Sequence, residues 1–476
     1  MIMSSLSLRR ALLSAGFLAA LSGCSIGDAF TKPDTQTPTA WDAGSGGTGI
    51  WPDTTWWRDF SSQELDGLMA QAETSNRDLA AALARIRQAE ASAKIAGATL
   101  LPTLGTDGGA SRSWSPASTS SSSSTSGTRA SSGRIVRNSF DAGLTAGYQV
   151  DLFGGNRAGS DAALERLSAS RYDRETVAIT LHADLAAAYF QLLSVRDRIR
   201  LAEDTLRNAQ DVLTVLVRQQ QLGVASELEV AQQRNSVATQ RATIPALRQS
   251  ERETLTAIAL LLGRVPQGFS IATQSLSALA LPPVKAGLPS GLLARRPDLR
   301  KAEADLRAAN RDIVVAQAAR LPSLDLTTSG GVQSAALRSL LQPQSALYSI
   351  AASLTAPLFQ GGRLEGQEEL NRARYLELAE VYGKAAITAF GDTEDALTGT
   401  ANATQRYEYA REAFDQAREA YRIVEVRYRA GTVPFLNLLD AQRTVFQAND
   451  ALAQALLARY TTLVDLYKAL GGGWSE

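Results

Sequence analysis

Catalysis or metal binding would have to be assembled here from a short inventory. The 476 residues include one cysteine, Cys24, and one histidine, His182. His182 is followed by Ala183 and Asp184 in a helical stretch with no Ser or Cys nucleophile motif beside it, so it reads as a seam or surface residue. No H-E-x-x-H, P-loop or G-x-S-x-G with the required flanks occurs. The expectation is a protein that is not an enzyme and carries no cofactor and no metal. Forty-eight basic and 48 acidic residues cancel, which argues against a nucleic-acid partner held by a dominant basic face.

Cys24 carries a different chemistry. Arg9 and Arg10 precede an apolar run over residues 11–21, and Leu21-Ser22-Gly23 lead directly into the cysteine. This is the anatomy of a secretory signal over residues 1–23, too short to span a membrane with its flanks. The four residues resemble the bacterial lipobox, which implies a mature chain that begins at a lipid-modified Cys24. Ser25 follows where Asp is the usual inner-membrane retention signal, so export to the outer membrane is expected. No later run of about eighteen apolar residues offers a transmembrane helix, and a membrane crossing would have to use strands.

The elements that position these residues follow from an internal repeat. Asp78-Leu79 recurs as Asp298-Leu299, Arg87 as Arg307, and Leu101-Pro102-Thr103-Leu104 as Leu321-Pro322-Ser323-Leu324, all 220 residues apart. Leu152-Phe153-Gly154-Gly155 returns as Leu358-Phe359-Gln360-Gly361 at 206, and Leu262-Gly263 as Leu470-Gly471 at 208. The first copy therefore holds 14 extra residues between Leu104 and Leu152, and the Ser- and Thr-rich run at 113–134 lies within that interval.

Phe140, Ala142, Leu144, Ala146, Tyr148, Val150 and Leu152 alternate with Asp141, Gly143, Thr145, Gly147, Gln149 and Asp151, the period of a strand with one apolar and one polar face. Residues 348–358 and 324–332 alternate similarly, whereas the Gly-rich residues 104–114 are assigned to a strand by their repeat partner. Each copy thus holds one β-hairpin, at 103–152 and 322–358. Four strands cannot close a barrel, so at least two copies of the chain must pool them in lipid.

Residues 155–221 and 363–429 are long enough for helices near 100 Å, at about 1.5 Å per residue. Ile199, Ala202, Leu206, Ala209, Leu213, Leu216 and Gln220 follow 3-4 spacing, as do Tyr407, Ala410, Phe414, Ala417, Tyr421, Val424 and Tyr428. That spacing is a coiled-coil seam. Both long helices stop at a Gly-containing break, Gly223-Val224-Ala225-Ser226 and Gly431-Thr432-Val433-Pro434, and return as further helices to Leu262 and Leu470. Gly suits a left-handed C-cap and Ser226 can cap its helix. The expected division is a signal at 1–23, an anchor and extended segment at 24–61, repeat 1 at 62–263, an equatorial linker at 264–290 and repeat 2 at 291–476.

Trp56-Trp57-Arg58-Asp59-Phe60, Arg295-Arg296-Pro297-Asp298-Leu299, Leu438-Leu439-Asp440-Ala441-Gln442-Arg443 and the tail from Asp465 to Trp474 resemble the TolC-like outer membrane efflux proteins, within them the NodT-type lipoproteins of resistance-nodulation-division (RND) pumps. The resemblance implies an α+β membrane protein in which three chains form one 12-stranded β-barrel, continued by a periplasmic coiled-coil α-helical barrel. It implies an outer membrane factor, a passive exit duct for small molecules such as antibiotics, served by a periplasmic membrane-fusion adaptor and an inner-membrane RND-type transporter. By the same resemblance Gly223, Val224, Ala225, Ser226, Gly431, Thr432 and Val433 meet the adaptor. Asp440 is the periplasmic gate carboxylate with Tyr428 near it, and Asn437 stands where the founding member has a second Asp. Two rivals remain open from the sequence: an exit channel for a type I secreted polypeptide, and a non-conducting structural coiled-coil lipoprotein.

Overall fold

The structure is a computed structural model that describes residues 30–35, 37–42, 51–116, 134–283 and 289–474. Cys24, the signal and most of the Ser- and Thr-rich run lie outside the described residues. The chain forms two compact units. One contains Gln88–Leu167 and Asp305–Leu378, and the other contains Lys32–Arg87, Ser168–Ala304 and Ala379–Glu476.

The first unit is built on a four-stranded antiparallel sheet, β1 (Thr103–Pro116), β2 (Arg134–Val150), β3 (Ser323–Ser334) and β4 (Ala346–Thr355), in that order. The register places Leu104, Ala146, Thr328 and Ile350 in one row, and Tyr148, Leu326 and Ala352 in another. Paired residues share a face, so the apolar sets of successive strands line up on one side. The other side carries Asp107, Thr145, Ser329, Ser349 and Asp325, with Thr145 Oγ1 donating to Asp107 Oδ1 at 3.3 Å and the Ser329 and Ser349 hydroxyls 2.8 Å apart. Leu104, Tyr348, Ile350 and Leu354 are all exposed. Among the described residues β1 pairs only with β2 and β4 only with β3, leaving two outer edges.

Strand limits differ from expectation at both hairpins. β2 begins at Arg134, six residues before the alternating pattern, because Val136, opposite Trp114, carries the apolar row on past the polar pair of Asn138 and Arg112, where the strict alternation lapses. β4 stops at Thr355 rather than 358, two residues before Pro357, which has no N–H to donate.

The α-helices are α1 (Gln63–Ser75), α2 (Arg77–Ala98), α3 (Gly155–Gln221), α4 (Glu227–Leu261), α5 (Pro289–Arg295), α6 (Pro297–Ala318), α7 (Arg363–Arg429) and α8 (Phe435–Ala469). α3 and α7 have 67 residues each, α4 and α8 35 each, and α2 and α6 22 each. α3 contains an 18-residue window apolar enough to cross a membrane by length and composition. Of that window 56% is buried inside the protein, which fits a core helix.

The core of the helical unit gathers around a 3-10 turn, Trp56–Phe60, inside the segment expected to be irregular. Trp56 stacks on Tyr467 at 4.6 Å, and Phe60 lies 4.8 Å from Phe190. His182 belongs to this core and not to the surface. Its ring is 4.6 Å from Trp57, and its Nε2 is 3.4 Å from Glu73 Oε1. Burial, assisted by the nearby Arg174, pushes its pKa down to about 4, so the imidazole is neutral at ordinary pH.

The described part of the expected linker is docked at Ile271, Ala272 and Thr273. Glu64 accepts from the backbone N–H of Ala272 at 2.6 Å and Thr273 at 3.0 Å, while the Arg196 guanidinium donates to the carbonyls of Ile271 and Thr273. Burial would raise the Glu64 pKa, but hydrogen bonds from Thr273, Ala272 and Tyr189 hold it below the usual value. Ile271 and Leu276 are buried beneath these contacts.

Candidate functional site at the helical tips

α3 unwinds after Gln221, and Gly223 takes φ 76°, a left-handed conformation that costs glycine nothing. The Val224 N–H donates to the Gln219 carbonyl at 2.9 Å and closes the end of the helix. α4 then starts on a complete capping box. Ser226 Oγ accepts from the Glu229 N–H, and Glu229 Oε2 accepts from the Ser226 N–H at 2.7 Å.

The second tip reaches the same turn by other means. Gly431 has φ 72°, and both the N–H and the Oγ1 of Thr432 donate to the Arg427 carbonyl, at 2.9 and 3.0 Å. Pro434 stands at the N-cap of α8 and supplies no side-chain bond. Ala225 and Val433 are half-buried, whereas Leu222, Gly223, Val224, Ser226, Gly431 and Thr432 are exposed.

An apolar cluster joins the two tips: Leu216, Val230, Phe435, Leu438 and Leu439 are buried, with Tyr421, Val424 and Tyr428 packed against them. Tyr428 lies 5.9 Å from the Phe435 ring and donates its hydroxyl to Gln219 Oε1 at 3.5 Å. Burial, with the Glu229 carboxylate nearby, raises its pKa, so the phenol remains a donor. Gln219 and Phe435 were not singled out from the sequence. Gln219 sits one residue before the seam position Gln220, and no sequence signal marked it as the tyrosine's partner.

Asn437 and Asp440, three residues apart on α8, share an exposed face opposite the buried Leu438 and Leu439. Among the described residues no ion pair involves Asp440, and Thr444 bonds its backbone carbonyl. Within one chain the Tyr428 phenol thus bonds Gln219 and not Asp440. The arrangement leaves an exposed carboxyl side chain on a helix whose other side is anchored in the chain's own core.

The sequence and the fold have close counterparts. The outer membrane efflux protein profile matches residues 68–264 and 288–472. The pyoverdine export outer membrane protein OpmQ of Pseudomonas aeruginosa is 42% identical over 421 residues, covering 88% of each chain. The toluene efflux pump outer membrane protein TtgF of Pseudomonas putida is 31% identical over 480 residues, covering 98% of this chain and 97% of its own. The solved structure of the outer-membrane channel OprN superposes with a TM-score of 0.87 at 27% identity, over 95% of this chain and 100% of that one. With matching long helices, an amphipathic four-stranded sheet and near full-length similarity, the chain belongs to the outer membrane efflux protein family and is an outer-membrane efflux channel protein with a periplasmic helical extension.

Proposed function

We propose that three copies of the chain pool their strands into a 12-stranded barrel and form a passive, non-catalytic duct for small molecules. The observation that carries this reading is the sheet itself. One face is apolar and exposed, the other is hydroxyl- and carboxylate-rich, and both outer edges are unpaired among the described residues. Such a sheet is stable in hydrocarbon only when the edges meet and the polar face lines water. Exposed apolar residues along α7, Leu376, Ile387 and Val426 among them, supply a lateral contact for neighbouring copies. The matching lengths of α2 and α6, α3 and α7, and α4 and α8 support the reading of two copies of one design, 62–263 and 291–476, joined by 264–290.

In the same reading the duct works with a periplasmic adaptor and an inner-membrane transporter, and the exposed Leu222, Val224 and Leu436 give the tips an apolar surface for the adaptor. Lipidation of Cys24 anchors the chain beside its barrel. Higher identity to two pyoverdine export proteins, 42% and 40%, than to the toluene efflux protein makes pyoverdine the first cargo to test. Asp440 is the gate carboxylate, Asn437 a neutral neighbour, and Tyr428 a brace for the closed tip.

Expression of Asp440→Ala in cells lacking the pump tests the gate. Increased vancomycin entry, or increased leak conductance of the purified protein in planar bilayers, is expected. Unchanged permeability in well-expressed mutant trimers would remove Asp440 from the gate, and wild-type protein that never conducts would remove the duct.

A further inference from the structure

Exposed charge is distributed unequally between the two helical hairpins. From Val230 to Ser250, α4 holds three arginines and no acidic residue. Arg234, Arg241 and Arg248 recur every seven residues and are exposed, each directly after a buried seam position, Gln233, Gln240 or Leu247. That period keeps them on one face, the flank of a seam where charges choose partners in coiled coils. α7 carries the opposite sign. Glu408, Glu412, Asp415 and Glu419 are exposed and follow 4-3-4 spacing, which is also one face. Arg411 and Arg418 lie along its flank, and towards the tip the same face continues into the exposed Ile423 and Val426.

Among the described residues no ion pair involves Arg234, Arg241, Glu408, Glu412 or Asp415, while Arg248 pairs with Glu203 at 2.9 Å and Glu419 with Arg422 at 2.6 Å. The repeated design does not require these stripes. At the 208-residue offset the arginine positions of α4 become Gln442, Asn449 and Leu456 in α8. The acidic positions of α7 fall on Arg200, Asp204, Arg207 and Asp211 of α3, which alternate in sign. The stripes also match in distance from the tips, where α4 starts with Glu227 and α7 ends with Arg429. Arg241 lies 14 residues past that start and Asp415 14 residues before that end, about 21 Å along each helix. Arg248 and Glu408 both lie 21 residues from the same ends, about 32 Å along.

We infer that the basic stripe of α4 in one copy docks on the acidic stripe of α7 in the next, and that the two stripes enforce head-to-tail closure of the ring. The inference rests on the proposed assembly of several copies and names the surfaces that join them. A two-fold dimer through either stripe would set like charges face to face, which costs association free energy. The α4–α7 pairing brings opposite signs together at matched distances from the tips, and a heterologous contact of this kind closes into a ring. Single exposed ion pairs contribute little to affinity. The stripes therefore select the partner and the register, and the adjoining apolar residues supply most of the attraction.

The experiment co-expresses two differently tagged full-length chains, one with Arg241→Cys and the other with Asp415→Cys, and oxidises the membranes mildly. A disulfide joining the two tags is expected, and neither variant expressed alone is expected to form one. In parallel, association of the purified protein in detergent is followed by native mass spectrometry. Arg234→Glu with Arg241→Glu is expected to weaken association about tenfold or more, as is Glu412→Arg with Asp415→Arg. All four substitutions in one chain are expected to restore it. Wild-type oligomers that form while the 241–415 disulfide does not, or reversals that leave association unchanged, would overturn the inference and leave the duct standing. Wild-type protein that stays monomeric would overturn the assembly and the inference together.

Discussion

The two heptad seams share one spacing and meet opposite fates. In α3, Ile199, Ala202, Ala209 and Leu216 are all buried within the chain, whereas in α7 only Ala417 of the corresponding seven is buried, and Tyr407, Ala410, Phe414, Tyr421, Val424 and Tyr428 are half-buried. Along α7, Ile423 and Val426 are exposed beside the seam. A hydrophobic repeat specifies that a helix wants a partner, and burial shows how much of that partner the same chain supplies. α3 finds most of its partners within the chain, and α7 retains apolar surface for a neighbouring copy under the proposed assembly. The tips differ in parallel. The first is held by a capping box and the second by an apolar anchor, Phe435, with a backbone turn.

Truncation of the filled seam gives the largest effect. Leu216→Ala, at a position 1% exposed, is expected to cost about 2–5 kcal/mol in chemical unfolding. Ile423→Ala, at 39% exposure, is expected to leave protomer unfolding within about 0.5 kcal/mol and to weaken chain association instead. Equal losses in unfolding would erase the distinction between the seams.

Acid probes the core that α3 helps to build. The folded-state pKa of His182 is lowered from 6.5 to about 4, so the unfolded chain takes up the proton first. Stability is complete above the unfolded value and falls as pH drops from 6.5 through 4, by about 3 kcal/mol at the limit. Urea titrations at pH 7, 5 and 4 should show this loss, and His182→Gln should flatten that part of the slope. Identical slopes for the two proteins would mean that water reaches the imidazole.

The smaller effects separate the tips. Ser226→Ala removes both a cap and half of the box and is expected to cost about 1 kcal/mol. Pro434→Ala removes no side-chain hydrogen bond, and a change within about 0.5 kcal/mol is expected. Hydrogen exchange at the first amides of α4 and α8 reports each change locally, with faster exchange expected only in the first case.

Much of the local structure was legible because it is written in spacing. Residues 155–221 and 363–429 could be delimited as helices since Pro is absent and Gly223 and Gly431 punctuate their ends, and α3 and α7 occupy those spans. Period-two alternation located β2 but not its first six residues, because Asn138 interrupts the apolar row between Phe140 and Val136 and only the pairing with β1 shows the strand running on. At the tip, Asn437 and Asp440 could be put on one helical face, but the pairing of Tyr428 with Gln219 could not be read. The two lie 209 residues apart and meet only after α3 and α7 have been brought side by side.

By itself the sequence determined the helices, the strand faces, the tip turns and a family resemblance, since each depends on residue types within a few positions or on whole motifs. Only the tertiary structure decided which seam is filled, that residues 264–283 are docked by Glu64 and Arg196, and that His182 is core. It alone decided that Gln233 and Gln240 are buried in the seam between α3 and α4. Burial and hydrogen-bond partnership are properties of surfaces that meet, and a linear pattern records that a face is apolar without recording what will cover it.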